Sequence, residues 1–406
     1  MAAAALAVKR SRVIVFSSIE TLVGSLAESA DVHGLPLSFH AGAVHQTDAD
    51  AATSTKLSSP SADYSDALIA VADPPLIPQI YALMPQVRWV QSTWAGVDGL
   101  FKSLAANTPS SAEASTGSTQ HSADDTGQIC PAHSNAILCS AACGDTPPPF
   151  TLTRCGGQFG SLMAEYVLGH TIAWVRQFAA GDKAQSASTW SADALRHILP
   201  LSQLTLGVLG GGGGIAASVL AAAKLGFGMR TVAYVSSARA VPHADAVVDS
   251  VQACLGQCDV VVNLLPSTPA TRGLLDGDVF EASTARREHN IKGGLPEHLW
   301  APLFINAGRG DVVSEKAVVK ALDAGWIGHA VLDVFQQEPL PTSSVLWLHP
   351  RVTVSPHVAA VSLPQDVAEA FSANAKAFLG EEKVQHGEVG EPMGKMKWVV
   401  DWSRGY

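Results

Sequence analysis

Five consecutive glycines, Gly210 to Gly214, constrain this chain more than any other feature. An apolar run, 204–209, leads into them. An Ala-rich segment follows, and after Gly226 a second apolar run, 231–235, begins. Glycine at that density breaks both strand and helix, so the pattern reads strand, turn, helix, strand. Two strands joined through a helix pair in parallel, which predicts a doubly wound α/β sheet. A glycine turn also lets the backbone approach a pyrophosphate. The helix that follows then offers free N–H groups and the positive end of its dipole to the phosphates. The candidate cradle is Gly210, Gly211, Gly212, Gly213, Gly214 and Ile215. Its register stays open. Counting from Gly210 puts Ile215 at the fingerprint's third glycine position, and counting from Gly211 puts Ala216 there. The bland alternative is a flexible low-complexity loop.

An NAD site usually ends its second strand with an acid that holds the ribose 2′-OH. Here that end reads Tyr234-Val235-Ser236-Ser237-Ala238-Arg239, without an acid. Ser236, Ser237 and Arg239 offer hydroxyl donors and a bidentate cation, which suit a 2′-phosphate. NADP(H) is therefore favoured over NAD(H), with a solvated loop arginine as the bland reading of Arg239.

The rest of the chain extends the α/β pattern. Apolar runs at 12–18, 65–72 and 87–93 alternate with helix-length segments, one of them around 76–84. Residues 44–63 read as a surface loop and 157–178 as one long helix. Residues 103–149 are rich in Ser, Thr, Ala and Pro and read as a flexible insertion; 283–302 reads as a second one. Cys130, His133, Cys139 and Cys143 carry donor atoms, but their spacing matches no standard zinc site, so no metal is expected. Cys254 and Cys258, four apart on an expected helix, read as buried thiols.

Composition excludes several classes. Hydrophobic residues make up 47% and charged residues 15%, which rules out global disorder. A formal charge of −10 argues against nucleic acid as the main partner, because phosphates must be neutralised. No uncharged apolar run reaches the length of about 18 residues that a membrane helix needs. The start, MAAAALAVKRSR, has its apolar stretch before its basic residues, unlike a secretory signal. A cytoplasmic location is the default expectation, with a weak organellar signal as the alternative.

Three more apolar runs each end in a polar group. LFINAGRG (303–310) ends in Arg309, AVLDVFQQEPL (330–340) carries Asp333 and Glu338, and VTVSPHVA (352–359) carries His357. Ligands of open α/β sheets sit beyond such strand ends. The residue types suit carbonyl reduction. A guanidinium can polarise the oxygen and grip a neighbouring carboxylate, an imidazolium can deliver the proton, and a carboxylate can orient that imidazole. A fourth run ends at Trp94, and Ala95, Gly96 and Val97 follow in a turn whose N–H groups can form an anion nest. Taken singly, each has an ordinary surface or turn alternative.

With WAGVDGL (94–100), GQFGSLMAEYVLG (157–169), CDVVVNLLPSTPATRGLL (258–275), INAGRGDVV (305–313), LDVFQQEPLP (332–341) and SPHVAAVS (355–362), the glycine turn resembles the D-isomer-specific 2-hydroxyacid dehydrogenase family. The resemblance covers about 60–100 and 155–380. Within the family the chain is most similar to glyoxylate/hydroxypyruvate reductases, through the Met-Ala-Glu-Tyr helix and the acid-free second strand.

The resemblance implies two doubly wound parallel-sheet domains, Rossmann- and flavodoxin-like, with an active-site cleft between them. Residues 1–169 would be the N-terminal part of the substrate domain, with the insertion at 103–149. Residues 170–358 would bind the dinucleotide, and 359–406 would return to the substrate domain. Arg309 matches the family's catalytic and substrate-binding arginine, Glu338 the glutamate that supports the histidine, and His357 the proton donor. Asp333 matches an aspartate near the nicotinamide carboxamide. Ala95, Gly96 and Val97, with Trp94 beside them, match the substrate-carboxylate turn. Pro266 and Thr271 fall in the segment lining the adenosine side. The implied function is reduction of a small 2-oxo acid to the 2-hydroxy acid in a homodimer, without nucleic acid or membrane partners. A coenzyme-sensing protein that has lost turnover is the alternative.

Overall fold

The computed structural model describes residues 11–42, 44–46, 55–57, 64–97, 99–101, 104, 136–141, 145–146, 148–237, 239–385 and 395–402. The chain divides into two compact units, Met1–Gly156 with Ser362–Tyr406, and Gly157–Val361. No helix among the described residues is long and apolar enough to cross a membrane.

The first unit contains β1 (Ser11–Phe16), β2 (Leu37–Ala41), β3 (Val44–Gln46), β4 (Thr55–Leu57), β5 (Ile69–Ala72), β6 (Trp89–Ser92) and β7 (Thr151–Thr153). Its main sheet is parallel, in the order β2-β1-β5-β6-β7. That is the flavodoxin-like order. The helix Pro364–Gln385 belongs to this unit, and its Phe371 ring stacks on Trp89 at 4.8 Å. The stretch 44–63 is not wholly loop, since β3 and β4 pair antiparallel within it. Cys130, His133 and Cys143 lie outside the described residues, as does most of 103–149; Cys139 donates to the Leu104 carbonyl at 3.4 Å.

The second unit follows with β8 (Thr205–Leu209), β9 (Arg230–Tyr234), β10 (Ala246–Val248), β11 (Val260–Asn263), β12 (Leu303–Asn306), β13 (His329–Leu332) and β14 (Val352–Val354). They form one parallel sheet, β10-β9-β8-β11-β12-β13-β14. Numbered within the unit, the order is 3-2-1-4-5-6 with a seventh strand added, the dinucleotide-binding arrangement. The central strands are mostly apolar because both faces are covered. Val260, Val262, Leu303 and Ile305 fill the core on one face, with Met163, Val167 and Val219 from helices. Val261 and Phe304 fill the other, with Phe280, Val318 and Leu322.

Three sequence expectations shift here. The expected domain start at residue 170 falls inside the helix Phe159–Val175, whose Met163, Val167 and Val175 are anchored in the second unit's core, so that unit begins at Gly157. The stretch 283–302 is not an insertion. It holds the helix Thr284–Lys292, part of the crossover a parallel β11–β12 pair requires. Its sequence, TARREHNIK, is almost wholly polar and hides that role. Polar groups fasten it instead: Arg286 donates to Asp259 from Nε (2.8 Å) and Nη2 (2.6 Å), and Asn290 donates to Asp259 at 2.9 Å. Cys254 and Cys258 are both buried, but the helix Val251–Leu255 ends before Cys258.

Candidate active site

Sequential strands leave β8 in opposite directions, β9 on one side and β11 on the other, so the switch point lies at their carboxyl ends. The glycine turn occupies it. Gly210 has φ 94°, the left-handed conformation that permits the tight turn after β8. A Cβ on Gly211 would stand 2.7 Å from the Ala233 methyl. At Gly212 it would stand 1.9 Å from Arg239 Nη2, so the guanidinium lies directly over this glycine. At Gly213 and Gly214 a Cβ would meet nothing within 4 Å, which leaves open space where the helix Gly214–Ala221 begins. Ile215 packs partly buried against the core. Ser236 and Ser237 are exposed just past β9. A close-approach turn, a helix start facing open space and a cation at its edge fit a dinucleotide phosphate group.

The loop after β11 comes next. Thr271 Oγ1 donates to the Pro266 carbonyl at 2.5 Å and accepts from the Thr268 amide at 2.8 Å, which folds the segment back on itself. Two asparagines, fully buried, join the ends of β11 and β12: Asn263 Nδ2 donates to Asn306 Oδ1 at 2.9 Å. The Gly308 amide donates to the same oxygen at 3.4 Å, so the pair helps set the turn that carries Arg309.

Arg309, Glu338 and His357 come together at the carboxyl ends of β12, β13 and β14. His357 Nδ1 lies 2.8 Å from Glu338 Oε2, and the Phe335 amide donates to Glu338 Oε1 at 2.9 Å. The carboxylate is thus held at one oxygen by backbone and engages the imidazole with the other. Arg309 Nη1 donates to the Gly308 carbonyl at 2.8 Å, and its charge acts on both Glu338 and His357. The hydrogen bond to Glu338 raises the His357 pKa above its ordinary value, against burial and the Arg309 charge. Burial works to raise the Glu338 carboxyl; the His357 hydrogen bond and charge, the Phe335 amide and Arg309 outweigh it and hold the pKa below its ordinary value. The pair therefore favours imidazolium beside carboxylate, with the remaining ring nitrogen, Nε2, carrying a transferable proton.

Asp333 is buried at the end of β13, with both carboxylate oxygens engaged. Oδ1 accepts from Ser355 Oγ (2.7 Å) and the Val358 amide (2.9 Å), and Oδ2 accepts from the Ala359 amide (2.9 Å). Sequence reasoning missed Ser355, Tyr166, Asn263 and Asn306 as parts of this region. The asparagines carried a signal, a polar residue closing an otherwise apolar strand run in both VVVN and LFIN.

The turn after β6 belongs to the first unit. Thr93 Oγ1 donates to buried Asp73 at 2.6 Å, and the Trp94 amide donates to Ser92 Oγ at 3.1 Å. The Cys155 amide donates to the Trp94 carbonyl at 3.1 Å, Arg154 reaches the Ala95 carbonyl at 3.5 Å, and Val97 is buried. Gly96 lies between these anchors with no side chain to cover its amide.

Comparison with known proteins fits this geometry. Residues 168–359 match the family model described as D-isomer specific 2-hydroxyacid dehydrogenase, NAD binding domain. The chain is similar in fold to a D-isomer specific 2-hydroxyacid dehydrogenase family protein from Aeromonas salmonicida, at 24% identity and TM-score 0.64, covering 97% of this chain and 99% of that one. It is similar to a D-isomer specific 2-hydroxyacid dehydrogenase from Xanthobacter autotrophicus solved with NADPH, at 22% identity and TM-score 0.65, covering 98% and 100%. It is also similar to an NADPH-dependent glyoxylate/hydroxypyruvate reductase from Sinorhizobium meliloti solved with NADP and sulfate, at 24% identity and TM-score 0.64, covering 98% and 100%. The family match covers residues 168–359, the stretch that carries the glycine turn, Arg309, Glu338 and His357.

Proposed function

We propose that this protein is an NADPH-dependent reductase of small 2-oxo acids, with glyoxylate and hydroxypyruvate as the favoured substrates. The observation that carries the reading is the His357–Glu338 pair, closed at 2.8 Å with the Arg309 charge acting on both partners. NADPH is favoured over NADH because Arg239 lies over Gly212 and residues 234–239, at the end of β9, include no acid. The Xanthobacter and Sinorhizobium neighbours, solved with NADPH and NADP, support that preference.

The glycines 210–214 with Ile215 and the start of the helix at Gly214 would hold the pyrophosphate. Ser236, Ser237 and Arg239 would hold the 2′-phosphate, and Pro266 and Thr271 the adenosine side. When bound, NADPH supplies the hydride that the carbonyl carbon receives. Negative charge then develops on the carbonyl oxygen. Arg309 polarises that oxygen and grips the neighbouring carboxylate. His357 gives its Nε2 proton to the oxygen as general acid. Glu338 fixes the imidazole through Nδ1 and stabilises its charged form. The amides of Ala95, Gly96 and Val97 hold the substrate carboxylate, and Trp94 bounds the acid that fits. A cytoplasmic homodimer is the form the family resemblance suggests; its mass in sedimentation checks the second half of that reading.

The test is the decay of reduced-nicotinamide absorbance with glyoxylate and hydroxypyruvate, against NADPH and NADH in parallel. Turnover with NADPH that His357→Ala abolishes is the expected result. Arg239→Ala should weaken NADPH by roughly 10- to 100-fold, the range of a lost charge-assisted hydrogen bond, and leave NADH nearly unchanged. Coenzyme binding without turnover on any 2-oxo acid would favour the sensor instead.

A further inference from the structure

His357 has φ 56°, a left-handed conformation that a non-glycine residue keeps only where its surroundings impose it. Those surroundings converge on Asp333. The His357 amide donates to the Asp333 carbonyl at 2.9 Å, and the next two amides, of Val358 and Ala359, donate to the Asp333 carboxylate at 2.9 Å each. One residue thus grips three successive amides, starting at the histidine itself.

Two further side chains continue the chain of hydrogen bonds away from the imidazole. Ser355 Oγ lies 2.7 Å from Asp333 Oδ1, and Tyr166 Oη lies 2.6 Å from Ser355 Oγ. A carboxylate only accepts, so the single serine proton points to Asp333. Tyrosine must therefore donate to serine, which gives the line a direction: Tyr166 to Ser355 to Asp333. Tyr166 sits on the helix Phe159–Val175, whose Met163 and Val167 are in the core, so the far end of the line is rigid. Burial raises the Tyr166 pKa to about 12, which keeps this donor protonated. The Tyr166 ring also meets His170 edge to face at 4.5 Å. No role in the proposed chemistry has been given to Tyr166 or Ser355, and both have a hydroxyl engaged in the line.

We propose that Tyr166 and Ser355 are positioning residues that act through Asp333 to hold His357 in its left-handed conformation, with its imidazole on Glu338. The inference rests on the reading of His357 as proton donor. It also gives Asp333, with both carboxylate oxygens occupied, the task of setting the histidine loop. The imidazole answers to Glu338, Arg309 and Asp333, so a loosened loop alters its titration as well as its placement.

The experiment compares Tyr166→Phe, Ser355→Ala, the double variant and Ser355→Thr in the full chain. Loss of either hydroxyl should lower kcat on the order of 10-fold, with coenzyme affinity and KM within about twofold, since a small misplacement of a reacting group costs one to two decades. Because the residues act as one line, the double variant should be no slower than the worse single variant. Ser355→Thr, which restores the hydroxyl, should recover most of the rate. Multiplying effects in the double variant, or no rescue by threonine, would overturn the proposal.

Titration of the His357 ring resonance, assigned by its loss in His357→Ala, needs no substrate. Tyr166→Phe and Ser355→Ala should move it and lower its midpoint. If no 2-oxo acid is turned over but that resonance still moves, the functional reading fails and the positioning network stands. If turnover is normal and the resonance is unmoved, the network fails and the functional reading stands.

Discussion

Gly310 is where the smallest addition should do the most damage. It follows Arg309, and a Cβ built on it would lie 2.0 Å from the Phe335 carbonyl carbon, 2.1 Å from its oxygen and 2.4 Å from its Cα. Ordinary contact begins at 3.4 Å, so the two segments must part by 3.4 minus 2.0, or about 1.4 Å. All three atoms are backbone, so no side-chain rotation relieves the clash. Phe335 is also the residue whose amide holds Glu338, and Glu338 holds His357. Movement on one side carries Arg309 away, and movement on the other carries the carboxylate and the imidazole. Misplacement by about 1 Å costs roughly 100-fold in rate, equivalent to about 2.7 kcal/mol. Overpacking of this kind costs roughly 1–3 kcal/mol of stability, which a domain of this size survives. The expected outcome for Gly310→Ala is a folded protein that binds coenzyme and has kcat lowered about 100-fold. Steady-state kinetics, coenzyme titration and a melting curve read the three terms. Gly24→Ala is the control, because a Cβ on Gly24, in the helix Leu22–Val32, meets nothing within 4 Å and should leave the rate unchanged. A Gly310→Ala variant within threefold of the native kcat would refute the reasoning that this backbone approach sets the site.

Three further outcomes are expected. Reduction needs protonated His357, so the rate should fall as pH rises through its raised pKa. Glu338→Gln weakens the hydrogen bond and removes the charge that together raise that pKa, and should move the alkaline limb to lower pH, which a pH–rate profile checks. Asp259 accepts from Arg286, Asn290 and the Thr205 amide in the interior. Asp259→Ala strands a nearly buried guanidinium, and a loss of about 3–5 kcal/mol should lower Tm on the order of 10 °C. Burial first, then His170, His349 and Arg351, pushes the His329 pKa down from 6.5 to about 4. The unfolded chain therefore takes up this proton first, and the stability from neutral His329 is complete above pH 6.5 and lost as pH falls towards about 4. His329→Gln should flatten the melting temperature across that window.

Much of the fold was legible because strand ends and turns leave local marks. The glycines after 204–209 can only be a turn where backbone must come close, and the apolar runs at 260–262, 303–305 and 330–332 are what a sheet buried on both faces requires. Polar segments were harder to read. TARREHNIK resembles loop because its packing is made by Arg286 and Asn290 reaching a single aspartate, not by an apolar stripe. The start of the second unit was misplaced because a helix that closes one unit looks, residue by residue, like one that closes the other. Its owner is set by which core takes Met163 and Val167.

The sequence by itself determined which groups stand beyond which strands: Arg309 after one apolar run, Glu338 after the next and His357 after a third. Chain order and strand ends are local properties, and residue type fixes the chemistry on offer. Only the tertiary structure decided that His357 meets Glu338, that Arg239 comes to rest over Gly212, and that Asp333 spends its carboxylate on the histidine loop. These groups are separated along the chain by between 19 and 27 residues, or by 25 and 26 for the Asp333 amide contacts, and no local preference spans such distances. Their meeting follows from the order in which parallel strands pack side by side, which places successive carboxyl ends within hydrogen-bond reach.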